Sequence, residues 1–311
     1  MNDNNSIWTM YPEALSRAEQ LREDGNSWAQ VAKQLSEEFG AFFSYDAVVS
    51  KVKKHWGLKK PVTNSNYTTK LIISDTHFPF HSPKLNEIIE QYKGIADELY
   101  IGGDMLDMYA CSTFVKRKDI ALRYEMAVAH QHLTLWSKWF KKIIIISGNH
   151  EERLGSFFQK RVDPAILFLI ETDILQHFEK GFSFENEIGE EIYFAPIKNL
   201  ETTEDWFIEI GDAILAHPKN FSRVDGKTGV ATNEYFIKHG YQHNAVLIGH
   251  THQAAKVMNS GKLIMEIGCC CEEQEYATRG NINYRPQTNA ITLLVQKDGI
   301  TDLNQTNFIV Y

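Results

Sequence analysis

A chain of 311 residues, 43% hydrophobic and 23% charged, is long enough for one large domain and one small one, with the composition of an ordinary globular protein. No apolar run approaches membrane-spanning length, and the polar residues 1–6 lack the basic-then-apolar layout of a secretory leader. A cytoplasmic protein with no membrane association is therefore expected. The net charge of −8 gives no reason to expect nucleic-acid binding by the chain as a whole, so the distribution of charge matters more than its total.

Residues 1–60 read as three helices. The first follows Pro12 and runs to about Asp24, where Gly25 stops it. The second opens at Ser27, with Gln30 at capping-box spacing, and its apolar residues Trp28, Val31, Ala32 and Leu35 recur at i, i+3, i+4 and i+7. After a turn at Gly40 a third helix starts near Ser44, with Val48, Val49, Val52 and Trp56 as its buried face. Positive charge collects there: Lys51, Lys53, Lys54, Lys59 and Lys60, with no acid between Ala47 and Pro61. Residues 1–61 carry eight basic and eight acidic side chains, so the unit is neutral but polarised. It resembles a helix-turn-helix module, whose last helix would place Lys51, Lys53 and Lys54 near DNA phosphates. A three-helix bundle that docks on protein is the alternative.

Residues 61–68 have the polar, turn-rich composition of a linker, and residues 69–311 form the second domain. Strands are expected at residues 70–74, 98–101, 143–146, 192–195, 214–216, 246–248, 263–267 and 291–295. Helices are expected from Ser82-Pro83 to about Tyr92, from Asp119 to Phe140, and from Asp163-Pro164 to Phe178. Strands and helices that alternate first and give way to strands later fit an α/β fold with two sheets flanked by helices. Of the four cysteines, Cys269, Cys270 and Cys271 are consecutive. Neighbours on a strand face opposite ways, so these thiols cannot readily surround one zinc and read as packing residues.

Five short strings follow apolar runs in one order: Asp75-x-His77, Gly103-Asp104-x-x-Asp107, Gly148-Asn149-His150-Glu151, an isolated His217, and Gly249-His250-x-His252. They place carboxylates, imidazoles and one amide where buried strands end. Two cations held by such hard oxygen and nitrogen donors can neutralise a phosphate ester and acidify water. The ordered set resembles the calcineurin-like metallophosphoesterases over residues 69–270, which implies an α/β/β/α two-sheet sandwich behind the small all-α domain.

Matched position by position, the resemblance implies a first metal on Asp75, His77, Asp104 and His252, and a second on Asp104, Asn149, His217 and His250, with Asp104 shared. His217 is the ligand with the shortest pattern, and His239 or His243 could compete for its place. His150 corresponds to the general acid and Asp107 to the carboxylate that orients it. Two divalent ions are expected, Mn2+ first, with Fe and Zn2+ also compatible with the donors. Arg153 could bind substrate phosphate or pair with Glu151 or Glu152. His81 and Tyr109 could line the substrate pocket, Tyr109 by stacking on a base. The loop from Pro218 to Gly229 could approach substrate.

The family's Ser/Thr protein phosphatases carry an Arg where this chain has Met108, which weakens that reading, although Gly-Asn-His-Glu resembles the same subgroup. The expected activity is hydrolysis of phosphodiesters, nucleic acid above all, by a metal-bound hydroxide with His150 as acid. A helix-turn-helix unit ahead of such a domain also looks like an arrangement encoded by phages and prophages. The alternatives are a phosphomonoesterase, nucleotide phosphatase or protein phosphatase, and a DNA-binding regulator with an inactive hydrolase domain.

Overall fold

The computed structural model describes residues 6–24, 26–55, 67–113, 116, 118–167, 169–170, 172–186, 188–273 and 287–311. The chain divides into two compact units, Met1–Asn64 and Ser65–Tyr311.

The first unit contains α1 (Ser6–Met10), α2 (Glu13–Glu23), α3 (Trp28–Phe39) and α4 (Tyr45–His55). Ser27 and Gln30 close the expected capping box, each side chain bonding the other's backbone N–H. Trp28, Val31, Ala32 and Leu35 are buried as their spacing predicts, together with Val48 and Val52 of α4. Val49 is partly buried against that core, while Trp56, Gly25, Lys59 and Lys60 lie outside the described residues. The sequence reading missed α1, which is one turn long and too short for a periodic pattern. It is held by Trp8, whose ring packs edge-on against Phe43 at 5.2 Å.

The second unit has strands β1 (Tyr67–Ile73), β2 (Glu98–Ile101), β3 (Lys142–Ile146), β4 (Phe182–Glu185), β5 (Glu191–Phe194), β6 (Leu200–Thr203), β7 (Phe207–Ile210) and β8 (Ala213–Ala216). They continue with β9 (Ala245–Ile248), β10 (Ala254–Asn259), β11 (Lys262–Ile267), β12 (Ala290–Lys297), β13 (Ile300–Thr301) and β14 (Asn307–Val310). Its helices are α5 (Leu85–Glu90), α6 (Leu122–Trp136), α7 (Glu152–Gln159), α8 (Pro164–Leu167), α9 (Gln176–Lys180) and α10 (Lys227–Lys238). One sheet runs β13-β12-β1-β2-β3-β6 with β14 also on β12, a second runs β10-β11-β9-β8-β7, and β4-β5 is a separate hairpin.

Side-chain alternation assigns the layers. Ile72, Ile144 and Ile146 point from the first sheet toward Leu215, Leu247, Leu263 and Met265 of the second, forming the core between sheets. Leu71, Ile73, Leu99, Ile143 and Ile145 point the other way, onto Leu85 and Ile89 of α5 and onto Met126, Leu133 and Trp136 of α6. Behind the second sheet, Ile214, Val246 and Ile264 pack on Phe236 of α10. The result is the expected α/β/β/α sandwich after an all-α unit.

Several expected elements differ. The linker ends earlier than Thr68, because Tyr67 and Thr68 already pair with Lys297 and Gln296 of β12. Residues 61–66 lie outside the described residues. The helix expected from Ser82 starts at Leu85, and the one expected from Asp119 starts at Leu122 with no side-chain cap. The segment from Asp163 to Phe178 is two short helices. Ile166 and Leu169 face solvent, so no apolar stripe runs through it, and Asp173 takes the Leu175 N–H into a turn.

Candidate functional site

Strands β1, β2 and β3 are parallel neighbours, as are β8 and β9 in the other sheet. The five strings follow the carboxyl ends of these strands, where open α/β sheets place their ligand-binding loops. Backbone bonds tie the loops together: Asp75 N–H donates to Gly103 O, His77 N–H to Asp104 O, and Gly249 N–H to Ala216 O.

The local backbone there is unusual. Asp75, His77, Asp104, His250 and His252 all have φ between 47° and 74°, the left-handed region that non-glycine residues rarely adopt. Each such residue costs on the order of 1–3 kcal/mol and persists only where its surroundings over-determine it. Five of the seven candidate ligands are held this way. The glycines of the strings are explained by close approach. A Cβ on Gly103 would overlap the His217 ring, one on Gly148 would overlap Asp104 Oδ1, and one on Gly249 would overlap Ser74 Oγ.

The side chains converge. His252 Nε2 lies 3.2 Å from Asp75 Oδ1 and 3.1 Å from His77 Nε2, and His77 Nε2 is 3.9 Å from Asp104 Oδ2. On the other side of Asp104, His217 Nε2 is 3.3 Å from Oδ2, and His250 joins the same cluster. His217 Nδ1–H donates to Gly102 O at 2.7 Å, which aims the opposite nitrogen, buried and without a hydrogen-bond partner, into the cluster. Asn149 Oδ1 is likewise buried and unpartnered. The competing histidines are engaged elsewhere: His243 Nε2 bonds Asn233, and His239 stacks on Tyr235.

Charge follows from burial and proximity. Asp75 and Asp104 are buried with no water-exposed surface to speak of, which disfavours their charged forms. Neighbouring imidazoles overcome this, holding Asp75 down at about 2, chiefly through His252, and Asp104 well below the carboxylate range through His150 and His217. Burial lowers the pKa of His217, but Asp104 outweighs it and pushes it up to about 9. Two buried carboxylates, converging imidazole nitrogens and orphaned Asn149 and His217 atoms form a donor set that fits divalent cations.

Glu151 organises the site in a way that sequence spacing did not reveal. Its buried carboxylate accepts N–H bonds from Asp104, Leu106 and Gly148, clamping the second and third strings together. Burial, followed by Asp104, raises its pKa to about 7.

Around His150 the geometry departs from expectation. Its Nδ1–H donates to the backbone carbonyl of Asp107 at 2.7 Å, while the Asp107 carboxylate is 3.9 Å from that nitrogen and nearer, at 3.3 Å, to His77 Nδ1. The carbonyl of Asp107 therefore orients His150. Arg153 pairs with neither Glu151 nor Glu152. Its guanidinium donates to Asp107 O at 2.8 Å and to His150 Nε2 at 2.5 Å, and Glu152 instead pairs with Lys219. Burial depresses the His150 pKa to about 3, leaving a neutral ring whose Nε2 is an acceptor.

His81 packs between Phe78 and His132, with ring centroids 4.8 and 4.3 Å away, and Tyr109 packs edge-on against Phe80. Neither is brought among the converging ligands. Cys270 joins the apolar core as expected, but Cys271 Sγ lies 3.9 Å from His252 Nδ1, and His77, His252 and Cys271 form a further cluster able to hold a metal. No signal in the sequence pointed to that contact, because it depends on the segment after β11 meeting the loop after β1, where the Cys270 N–H donates to Asp75 O and His81 bridges to Cys271. Lys51 lies on α4 with its Nζ 6.0 Å from the centre of the Trp8 ring, and the side chains of Lys53 and Lys54 lie outside the described residues.

Among known proteins, the family model for calcineurin-like phosphoesterases matches residues 69–254. Distant structural likenesses include an archaeal phosphodiesterase (15% identity, 78% of this chain and 100% of that chain, TM-score 0.36). A hypothetical protein of Pyrococcus horikoshii OT3 is also similar (10% identity, 78% and 87%, TM-score 0.39), as is Vacuolar Protein Sorting 29 of Cryptosporidium parvum (12%, 79% and 98%, TM-score 0.36). No curated protein matches the chain significantly. Likenesses this remote leave the assignment to the family match alone. That match spans more than half of the sequence and takes in all five strings, so the chain belongs to the calcineurin-like phosphoesterase family.

Proposed function

We propose that the protein is a dinuclear-metal phosphodiesterase acting on nucleic acid. The observation that carries the hydrolase part is the convergence of His77, Asp104, His217, His250 and His252 from separate loops in overlapping groups, with Asp75 against His77 and His252, and with unpartnered donor atoms among them. Asp75, His77, Asp104 and His252 would hold one cation, and Asp104, Asn149, His217 and His250 the other. Divalent cations there supply Lewis acidity toward phosphoryl oxygens and toward water.

The chain's own residues do the rest. Arg153, resting on His150, is placed to move onto an incoming anionic phosphate. Losing that cation from its Nε2 raises the proton affinity of His150, which can then take up a proton and deliver it to the leaving oxygen. Asp107 O fixes the other ring nitrogen throughout. Nucleic acid is favoured as substrate by the lysines of α4, and protein phosphatase activity is disfavoured because Met108 is buried where that subgroup has an arginine.

The test incubates the protein and Mn2+ with p-nitrophenyl phosphate, bis(p-nitrophenyl) phosphate and labelled DNA. Hydrolysis of the diester and of DNA is expected. Preference for the monoester with DNA left intact removes the nuclease reading in favour of a phosphomonoesterase. No hydrolysis with any metal, together with DNA binding by the isolated first unit, would favour the regulator.

A further inference from the structure

Beside the metal-ligand cluster lies a cavity of about 530 Å³ whose walls include Trp206, Pro218, Lys219, Phe221, Lys227 and Tyr235. It is joined to the cluster by short covalent and packing links. Pro218 is bonded to His217, the His217 N–H donates to the Trp206 carbonyl at 2.7 Å, and the Phe221 ring packs edge-on to His250 at 5.8 Å. Lys219 also reaches the start of α7, directly after the third string, through its pair with Glu152 at 2.7 Å.

The lining has a particular chemistry. Trp206, Phe221 and Tyr235 line one space together with Lys219, Asn220, Ser222 and Lys227. Phe221 and Tyr235 are 49% and 43% exposed, so part of each ring is open to a ligand. Trp206 is held rigidly, stacked on Phe236 at 5.4 Å and edge-on to Tyr235 at 5.4 Å. Rigid aromatic walls accept a flat heteroaromatic ring by stacking, lysines accept the phosphates on either side of it, and amide and hydroxyl groups can meet its edge. The volume falls within the range of small-ligand sites.

We infer that this cavity is a nucleobase subsite, seating the base adjacent to the scissile phosphate against Trp206, Phe221 and Tyr235. The assignment rests on the phosphoesterase reading of the neighbouring cluster and adds to it a substrate class, a phosphoester that carries a base. An aliphatic or sugar-only ester would leave the aromatic walls unused.

Isothermal titration of the full chain in EDTA with AMP and with ribose 5-phosphate isolates the base from both the phosphate and the metals. AMP is expected to bind at least about tenfold tighter, the scale of one stacked base. A Phe221→Ala, Tyr235→Ala double variant should lose that preference while its circular-dichroism spectrum stays that of the folded wild type, since both rings are partly exposed. Equal binding of the two ligands overturns the subsite, as does a preference that survives in the double variant. Hydrolysis of bis(p-nitrophenyl) phosphate with Mn2+, measured on the same wild-type protein, reads the phosphoesterase assignment separately. Base-selective binding without hydrolysis sinks that assignment and keeps the base pocket, and hydrolysis without base selectivity does the reverse.

Discussion

A methyl group added at Gly148 would meet both the carboxylate oxygen and the backbone nitrogen of Asp104, the residue shared between the two candidate metal positions. Neither atom belongs to a flexible side-chain end that could move aside cheaply, because Asp104 Oδ1 also accepts the His150 N–H and Asp104 N–H is held by Glu151. Gly148→Ala is therefore expected to lose bound metal, read by elemental analysis, and to lower the thermal midpoint; a variant with full metal content would show the loop to be looser than its bonds imply. His150 tests a different role. Its ring bonds Asp107 O and Arg153, while its Nε2 stands 3.7 Å from Asp104 Oδ2. His150→Ala should reduce kcat/KM by about 10²–10⁴-fold, the usual cost of removing a general acid, with metal content unchanged. Loss of metal from this variant would instead put His150 among the ligands.

Among the elements, α6 contributes more than packing. Trp136 at its end is buried, with its indole N–H donating to Asn86 at 2.9 Å, and Glu125 in its first turn is buried beneath the turn at Tyr109–Cys111, accepting the Ala110 N–H. Burial, then the nearby charge of Asp107, pushes Glu125 up to about 8. A carboxyl whose pKa is higher folded than unfolded binds more protons in the native state between those two values. Its contribution is thus complete at pH below the ordinary glutamate value and is lost as pH rises toward about 8. Glu125→Gln should flatten the fall in thermal midpoint between pH 5 and pH 8 compared with wild type. An unchanged slope would mean that the backbone N–H donors keep Glu125 ionised. The strand ends show the opposite balance, where left-handed backbone at five candidate ligands is tolerated because two parallel strand sets lock the loops from both sides.

For the molecule as a whole, the chain forms two units, each with its own buried core. Deleting residues 1–64 should leave hydrolysis of bis(p-nitrophenyl) phosphate within about threefold of wild type, as for domains that fold on separate cores. The same deletion should abolish DNA affinity, measured by fluorescence anisotropy, if α4 carries it. Replacing Lys51, Lys53 and Lys54 by alanine should make the slope of log affinity against log salt shallower by about 2.7, since each phosphate contact releases about 0.9 counterion. A slope that does not respond would point to a protein partner for this unit.

The residue types of the five strings could be read in the chain because metal chemistry admits few side chains, and strands such as Lys142–Ile146 because full burial demands continuous apolar runs. The capping box at Ser27 was equally legible, being a contact between residues three apart. Strands such as Phe182–Glu185 and Asn307–Val310 were not, since their exposed, mixed residues become strands only through partners that pair with them. Long-range folding settled that Asp107 offers its carbonyl to both His150 and Arg153 and its carboxylate toward His77, and that Cys271 faces His252. Local order along a chain constrains which atoms are available and where elements begin, whereas the way in which two groups meet across 19 or 43 residues depends on the packing of every layer between them.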